Sequence, residues 1–166
     1  MAKEIERKFL VTSDDWRAGA KGVSYMQGYI ATKGDATVRV RVAGDKGFIT
    51  VKGPSEGIVR DEFEYEIPKK DAEKMLETLC DSKVEKTRYK IKHDGLVWEV
   101  DEFAGANKGL VIAEVELPDE KHHVDPPSWA GADVSEDPRY TNAALAKNPY
   151  SQWKLQDNKK CQTQKP

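Results

Sequence analysis

The sequence has few of the features that would tie it to an oxidising compartment, a membrane or a nucleic acid. Its two cysteines, Cys80 and Cys161, lie far apart in the chain, and neither stands in a recognisable nucleophile motif. It shows no secretory leader and no apolar run long enough to cross a membrane. Lysine and arginine number 27 against 29 aspartates and glutamates, so no basic excess favours general nucleic-acid binding. These absences predict a cytoplasmic protein with incidental thiols and no membrane or nucleic-acid partner.

Charge is abundant even though its two signs nearly cancel. Charged residues make up 34% of the 166 residues, which is high for a folded domain. The length suits one domain that can bury a real core. An unusually polar interior would account for part of this charge, and any anion site must be built locally.

The charged residues alternate with apolar ones, as they do in β-strands. Glu4, Glu6 and Lys8 share one face of a strand over residues 4–11, and apolar residues share the other face. The alternation recurs in residues 38–42, 48–52, 61–67, 84–91, 97–101 and 111–117. Most of these charged faces carry a single sign. Two neighbouring acids suit a hard divalent cation, and a lysine beside them suits a phosphate.

Two arrangements explain this pattern. The charged faces could be the wet outer faces of ordinary antiparallel strands, and for the first strand alone this explanation is sufficient. An outer face usually mixes the two signs, however, whereas here whole strands are acidic or basic. Because like charges repel, segregated signs favour a barrel whose charged faces point inward, where acidic strands hold a cation and basic strands hold an anion.

Turn signals divide the chain into eight predicted strands. They run near residues 2–12, 23–33, 36–44, 47–53, 58–67, 83–93, 96–103 and 109–117. Helices are predicted over residues 68–80 and, as short segments, over 13–18 and 139–146, while residues 119–137 are predicted to be an irregular loop. The expected fold is therefore mainly β: a closed eight-stranded antiparallel barrel with a charged interior and flanking helices. Its apolar outer faces must be covered by helices or by a second copy in a homodimer.

The ordered set of motifs resembles the CYTH, or triphosphate tunnel metalloenzyme, superfamily. Glu4-Ile5-Glu6-Arg7-Lys8 matches the ExExK signature of that family. The match continues through Gln27-Gly28-Tyr29, Arg39-Val40-Arg41, Thr50-Val51-Lys52, Glu62-Phe63-Glu64, residues 84–89, Glu99-Val100-Asp101, Glu114-Val115-Glu116 and residues 137–140. It covers about residues 2–146, so we predict a tunnel domain over 1–146 and a partly helical or disordered extension over 147–166. The chain is similar to the short bacterial members that hydrolyse inorganic triphosphate.

The resemblance implies roles for three groups of residues. The cations that match triphosphate-binding positions are Lys8, Arg39, Arg41, Lys52, Arg88 and Arg139. The acids that match positions for Mg²⁺ or Mn²⁺ are Glu4, Glu6, Glu62, Glu64, Asp101, Glu114 and Glu116, with Glu4, Glu6 and Glu116 expected at the core of the metal site. Lys86 resembles the family lysine proposed to activate or orient the attacking water. Tyr29 either assists Lys86 in this role or packs in the core.

The function implied by the resemblance is metal-dependent hydrolysis of inorganic triphosphate. Other activities of the superfamily are alternatives: class IV adenylate cyclase, thiamine triphosphatase and nucleoside triphosphatase. Cyclisation needs a pocket for the base, for which the sequence offers no sign. A non-catalytic module that binds polyphosphate or a nucleotide is a third possibility, but anion binding alone would need only the basic strands.

Overall fold

The computed structural model describes residues 2–153, which form nine strands and few short helices. The strands are β1 (Ala2–Val11), β2 (Gly22–Ile30), β3 (Thr37–Ala43), β4 (Lys46–Lys52), β5 (Val59–Ile67), β6 (Ser82–His93), β7 (Leu96–Phe103), β8 (Val111–Glu116) and β9 (Ala130–Asp133). The α-helices are α1 (Lys69–Thr78) and α2 (Asn142–Lys147), with 3-10 turns at Asp15–Arg17, Gly105–Asn107 and Pro138–Tyr140. No helix in residues 2–153 is long and apolar enough to span a membrane.

The first eight strands close into an antiparallel barrel, which confirms the predicted fold. They hydrogen-bond in the order β5-β4-β3-β2-β6-β7-β8-β1, and β1 pairs again with β5 to close the ring. Closure removes the exposed strand edges that would otherwise invite pairing with other chains. The small ninth strand adds to β1 through the pairs Phe9–Asp133 and Val11–Ala130. The prediction of an irregular loop over residues 119–137 was wrong at Ala130–Asp133, which form β9. Their sequence, Ala-Gly-Ala-Asp, has no pattern typical of a strand, and the strand forms through its pairing with β1.

The apolar outer face of β2, β3 and β4 is covered by α1. Ala72 and Leu76 of that helix are buried against Val40, with Met26 and Ile30 beside them. The approach is close: a Cβ atom on Gly28 would lie 2.9 Å from Leu76 Cδ2, so β2 needs glycine there. The helix predicted over residues 68–80 is thereby confirmed, with α1 at Lys69–Thr78.

Two further apolar clusters complete the core, one outside the barrel wall and one at an end of the barrel. Phe9, Trp98 and Trp129 belong to one, which lies outside β1, β7 and β8. Leu145 and Trp153 belong to the other, which packs α2 and the residues after it on Val84, Phe103 and Ile112. These three residues have the same parity as the inward-facing Arg88, Glu99 and Glu114 of their strands, so this cluster closes one end of the barrel interior. The first residues of the predicted extension thus join the core, while residues 154–166 lie outside the described residues. The boundary after residue 146 stays a prediction.

One part of the outer surface has no such cover from the described residues. Val51, Phe63 and Tyr65 on β4 and β5 are 36%, 41% and 60% exposed. Val51 and Phe63 are direct partners across the two strands, so the exposed side chains are contiguous. That a second copy covers this face stays a prediction, which the mass of the protein in solution would test.

Candidate active site

The barrel encloses a cavity of about 780 Å³, here called the tunnel cavity, to which all eight barrel strands contribute side chains. Twelve of the residues predicted from the sequence line it: Glu4, Glu6, Lys8, Tyr29, Arg39, Arg41, Lys52, Glu62, Glu64, Arg88, Glu114 and Glu116. The expectation of inward-facing charge is therefore confirmed. Because strands alternate their faces with a period of two, the same register places residues such as Val40, Trp98 and Val115 on the outer face.

The basic part of the tunnel cavity centres on two arginines of β3. Arg39 and Arg41 both place Nη2 near Glu64 Oε1, at 3.4 and 3.0 Å. Their Nε atoms are buried and find no hydrogen-bond acceptor among the described residues. Burial lowers the pKa of Arg41 to about 10, and the neighbouring Arg39 and Arg88 add to this effect. Buried donors without acceptors are costly, and an anion with several oxygens would satisfy them.

The acidic part is built where β1 meets β8. Glu6 lies directly opposite Glu116 in the strand register. Burial raises the pKa of Glu6 well above its ordinary value, and the charges of Glu114 and Glu4 raise it further. The pKa of Glu116 is also raised, first by burial and then by Glu4. Like charges facing each other across a strand pair are destabilising, so this crowding is chemically suited to a divalent cation.

Lysines lie among these acids. Lys52 donates to Glu4 at 2.7 Å and stands 3.6 Å from Glu62, and Lys8 stands 3.4 Å from Glu114. Although burial acts in the opposite direction, Lys8 and Arg88 hold the pKa of Glu114 below its ordinary value. Within residues 2–153, no group of three or more His, Cys, Asp or Glu side chains is arranged to hold a metal ion as it stands. A metal ion at Glu4 would have to replace the contact from Lys52.

Lys86 and Asp101 form a buried pair outside the lining of the tunnel cavity. The Lys86 side chain is 0% exposed, and its ammonium donates to Asp101 Oδ2 at 2.8 Å and to Asn142 Oδ1 at 3.1 Å. Arg88 also donates to both oxygens of Asp101, at 2.7 and 2.8 Å. Burial lowers the pKa of Lys86 to about 8, against the opposing charge of Asp101. Asp101 thus anchors two predicted cations.

Asn142 connects this pair to the tunnel cavity. It is the first residue of α2, it lines the cavity, and it accepts a hydrogen bond from Lys86. Thr141 caps α2 by accepting from the Ala144 N–H, which fixes the start of the helix. Lys8 ties the segment down by donating from Nζ to the Tyr140 carbonyl at 3.3 Å. The sequence analysis missed Asn142, because a single asparagine at the start of a short helix gives no sign of a functional role.

The remaining predicted residues are placed differently. Tyr29 lines the cavity, and its hydroxyl accepts a hydrogen bond from Gln27 Nε2 at 2.9 Å. Arg139 lies outside the lining, with 56% of its side chain exposed and Nη2 2.8 Å from Asp137. Sequence reasoning also missed Tyr25, which lines the cavity and stands two residues before Gln27 on the same face of β2.

The fold and the site together define a class of protein: a closed antiparallel barrel whose interior places crowded carboxylates beside guanidinium donors that find no acceptor among residues 2–153. The chain belongs to the CYTH domain family, whose sequence pattern matches residues 2–146. It is 56% identical over 93% of its length to a protein of Acetivibrio thermocellus named inorganic triphosphatase, of which the match covers 99%. It is 41% identical over 86% of its length to a Nitrosomonas europaea protein of the same name, of which 96% is covered.

A solved structure supports the same relation. The crystal structure of an inorganic triphosphatase matches with a TM-score of 0.63 and 37% identity. The match covers 88% of this chain and 95% of that one. The fold of this chain is therefore shared with a solved inorganic triphosphatase.

Proposed function

We propose that this protein hydrolyses inorganic triphosphate to pyrophosphate and phosphate inside the tunnel cavity, with Mg²⁺ or Mn²⁺ as its cofactor. One observation carries the proposal. Arg39 and Arg41, whose buried Nε atoms find no acceptor among the described residues, line the same cavity in which Glu4, Glu6 and Glu116 crowd together. A phosphate chain satisfies the first group and a divalent cation the second. The names of the relatives point to the same substrate.

The cations of the tunnel cavity would bind and align the triphosphate. Arg39, Arg41 and Arg88 offer planar guanidiniums that can contact two phosphate oxygens at once, while Lys8 and Lys52 act as point charges. Little covalent chemistry is required of the protein in phosphoryl transfer, so alignment and charge stabilisation supply most of the rate. Arg139 is proposed to bind substrate only from the family resemblance, since it lies outside the lining.

The carboxylates would hold the metal ion, with Glu4, Glu6 and Glu116 at the centre and Glu62, Glu64 and Glu114 around them. Asp101 is proposed as a metal ligand only from the family resemblance, since both its oxygens accept from Lys86 and Arg88 outside the lining. When bound, the divalent ion supplies charge neutralisation on the phosphate oxygens. The oxygen of a water molecule bonds to the terminal phosphorus, the bond from that phosphorus to the bridging oxygen breaks, and pyrophosphate leaves. The two end phosphates of inorganic triphosphate are equivalent, so either orientation in the tunnel cavity gives the same products.

We propose that Lys86 takes the proton of the attacking water, assisted by Tyr29. This role requires the Lys86 amine to exchange its contact with Asn142, which lines the tunnel cavity, for that water. A base works best when its pKa is close to the working pH, and burial lowers the pKa of Lys86 to about 8. Below that pH Lys86 is protonated and cannot accept a proton, whereas above it the neutral amine can. We therefore expect kcat to rise with pH through about 8.

The pH profile of kcat tests this role. It should be recorded from about pH 6 to about pH 10 with saturating metal, for the native protein and for Lys86→Gln. The variant should be slower by about a hundredfold or more and should lack the inflection. An inflection that persists in Lys86→Gln would assign the titration to another group.

Phosphate release by the purified protein tests the proposed function itself. Inorganic triphosphate, ATP and thiamine triphosphate would be compared with Mg²⁺, with Mn²⁺ and with EDTA. We expect metal-dependent turnover of inorganic triphosphate that greatly exceeds turnover of the other two. Formation of pyrophosphate and cyclic AMP from ATP would identify a cyclase instead. Tight triphosphate binding without turnover in any combination would identify a binding module.

A further inference from the structure

Tyr25 places one aromatic ring among three cations of the barrel interior. Its ring centroid lies 4.9 Å from Arg41 Cζ, 5.0 Å from Arg88 Cζ and 5.9 Å from Lys86 Nζ. In the strand register, Tyr25 of β2 stands opposite Lys86 of β6 on one side and opposite Ala43 of β3 on the other. The ring therefore lies between the two strands that carry these cations.

The cations around the ring are buried and carry the same sign. Arg41 and Arg88 are each 8% exposed and Lys86 is 2% exposed. Solvent screening is weak at such depth, so the repulsion between Arg41 and Arg88 is felt. Arg41 pairs with one carboxylate, Glu64 at 3.0 Å. Arg88 pairs with three: Asp101 at 2.7 Å, Glu99 at 3.0 Å and Glu114 at 3.6 Å. The face of an aromatic ring carries partial negative charge and attracts cations most strongly where water is excluded.

We propose that the Tyr25 ring is a positioning group that holds the guanidiniums of Arg41 and Arg88 together, facing the tunnel cavity, before the triphosphate enters. This inference rests on the proposed function. Arg88 is fixed by its carboxylates, so without the ring face repulsion would displace the Arg41 guanidinium, and the substrate would have to bring it back on binding. Preorganised groups bind more tightly because their ordering is not paid at the moment of association.

The role belongs to the face of the ring and not to the phenol hydroxyl. A hydroxyl that donated to phosphate would be lost in Tyr25→Phe, whereas a positioning face would survive. A ring that only filled space would be replaced adequately by leucine. The two substitutions therefore separate the three possibilities.

The experiment measures binding and turnover for Tyr25→Leu and Tyr25→Phe. The dissociation constant for inorganic triphosphate is measured by calorimetry in EDTA, and KM and kcat are measured with Mg²⁺. Tyr25→Leu should raise the dissociation constant and KM by about tenfold or more and change kcat much less. Tyr25→Phe should restore most of the binding. The matched control is Tyr65→Leu, the same substitution at a side chain that is 60% exposed outside the barrel, and it should bind as the native protein does.

Native-like binding by Tyr25→Leu would overturn the inference, and so would a Tyr25→Phe variant as weak as Tyr25→Leu. If the leucine variant does not fold, phenylalanines with increasing fluorination are placed at position 25. Fluorine withdraws charge from the ring face while nearly preserving its shape, so the dissociation constant should rise with each fluorine, and a constant value would overturn the inference. If the native protein hydrolyses triphosphate and the Tyr25 variants bind it equally well, the inference fails and the proposed function stands. A native protein that neither binds nor hydrolyses triphosphate overturns both.

Discussion

Replacing Glu6 by glutamine is expected to lower kcat for triphosphate hydrolysis by about a thousandfold, the cost typical of removing one preorganised electrostatic group from an active site. Glutamine keeps the shape of the side chain but removes the charge that would hold the metal ion. Triphosphate binding in EDTA should persist, because Arg39, Arg41 and Arg88 remain. The measurement is kcat with Mg²⁺ alongside calorimetric binding without it. Glu73→Gln, on the surface of α1, is the matched control and should turn over as the native protein does.

The same substitution should stabilise the metal-free protein. Burial, Glu114 and Glu4 raise the pKa of Glu6 above its unfolded value. The native state then holds a proton that the unfolded state releases, so stability falls as the pH rises through the raised pKa. At pH above that window, Glu6→Gln should melt at a higher temperature than the native protein in EDTA. Mg²⁺ should raise the melting temperature of the native protein much more than that of the variant. Native-like turnover by Glu6→Gln would remove Glu6 from the proposed metal site.

Replacing Arg41 by alanine is expected to weaken triphosphate binding by about a hundredfold. The guanidinium can make two charge-assisted hydrogen bonds, each worth about 1.5–3 kcal/mol, and its Nε is buried without an acceptor in the part of the chain described. Arg39 still faces Glu64 in the variant, so the carboxylate is not left unpaired. Arg41→Lys should recover only part of the affinity, because an ammonium cannot contact two oxygens in the plane of a guanidinium.

The test of Arg41 compares the dissociation constant for triphosphate with the melting temperature. Burial and the repulsion from Arg39 and Arg88 lower the pKa of Arg41 to about 10, so its removal should leave the folded protein as stable as before or more stable. Loss of binding with no loss of stability is typical of a functional group that strains the free protein. Arg17→Ala, at a surface pair with Glu102, is the control and should leave binding unchanged. Unchanged binding in Arg41→Ala would place the anion elsewhere in the tunnel cavity.

The sequence predicted the inner face of the barrel well because a strand repeats every two residues without drift. Once Glu4 points inward, Glu6 and Lys8 must follow, and twelve predicted residues line the tunnel cavity for this reason. The same rule failed to separate Lys86 from Arg88. Both lie on the inner face of β6, yet Arg88 lines the cavity and Lys86 is enclosed.

Contacts between distant segments decided what the alternation could not. Lys86 is enclosed because Asp101 and Asn142 reach it from β7 and from the start of α2. Tyr25 lies within about 6 Å of three cations because β2 pairs with both β3, which carries Arg41, and β6, which carries Lys86 and Arg88. The strand β9 exists because β1 offers it a partner.

The sequence by itself thus determined the family, the number of barrel strands and the sign of charge on each inner face, since all three depend on local periodicity and short motifs. The tertiary structure alone decided which charges meet, how deeply each is buried and which acids crowd together. Those properties depend on strand stagger and on segments far apart in the chain, and local periodicity carries no information about either.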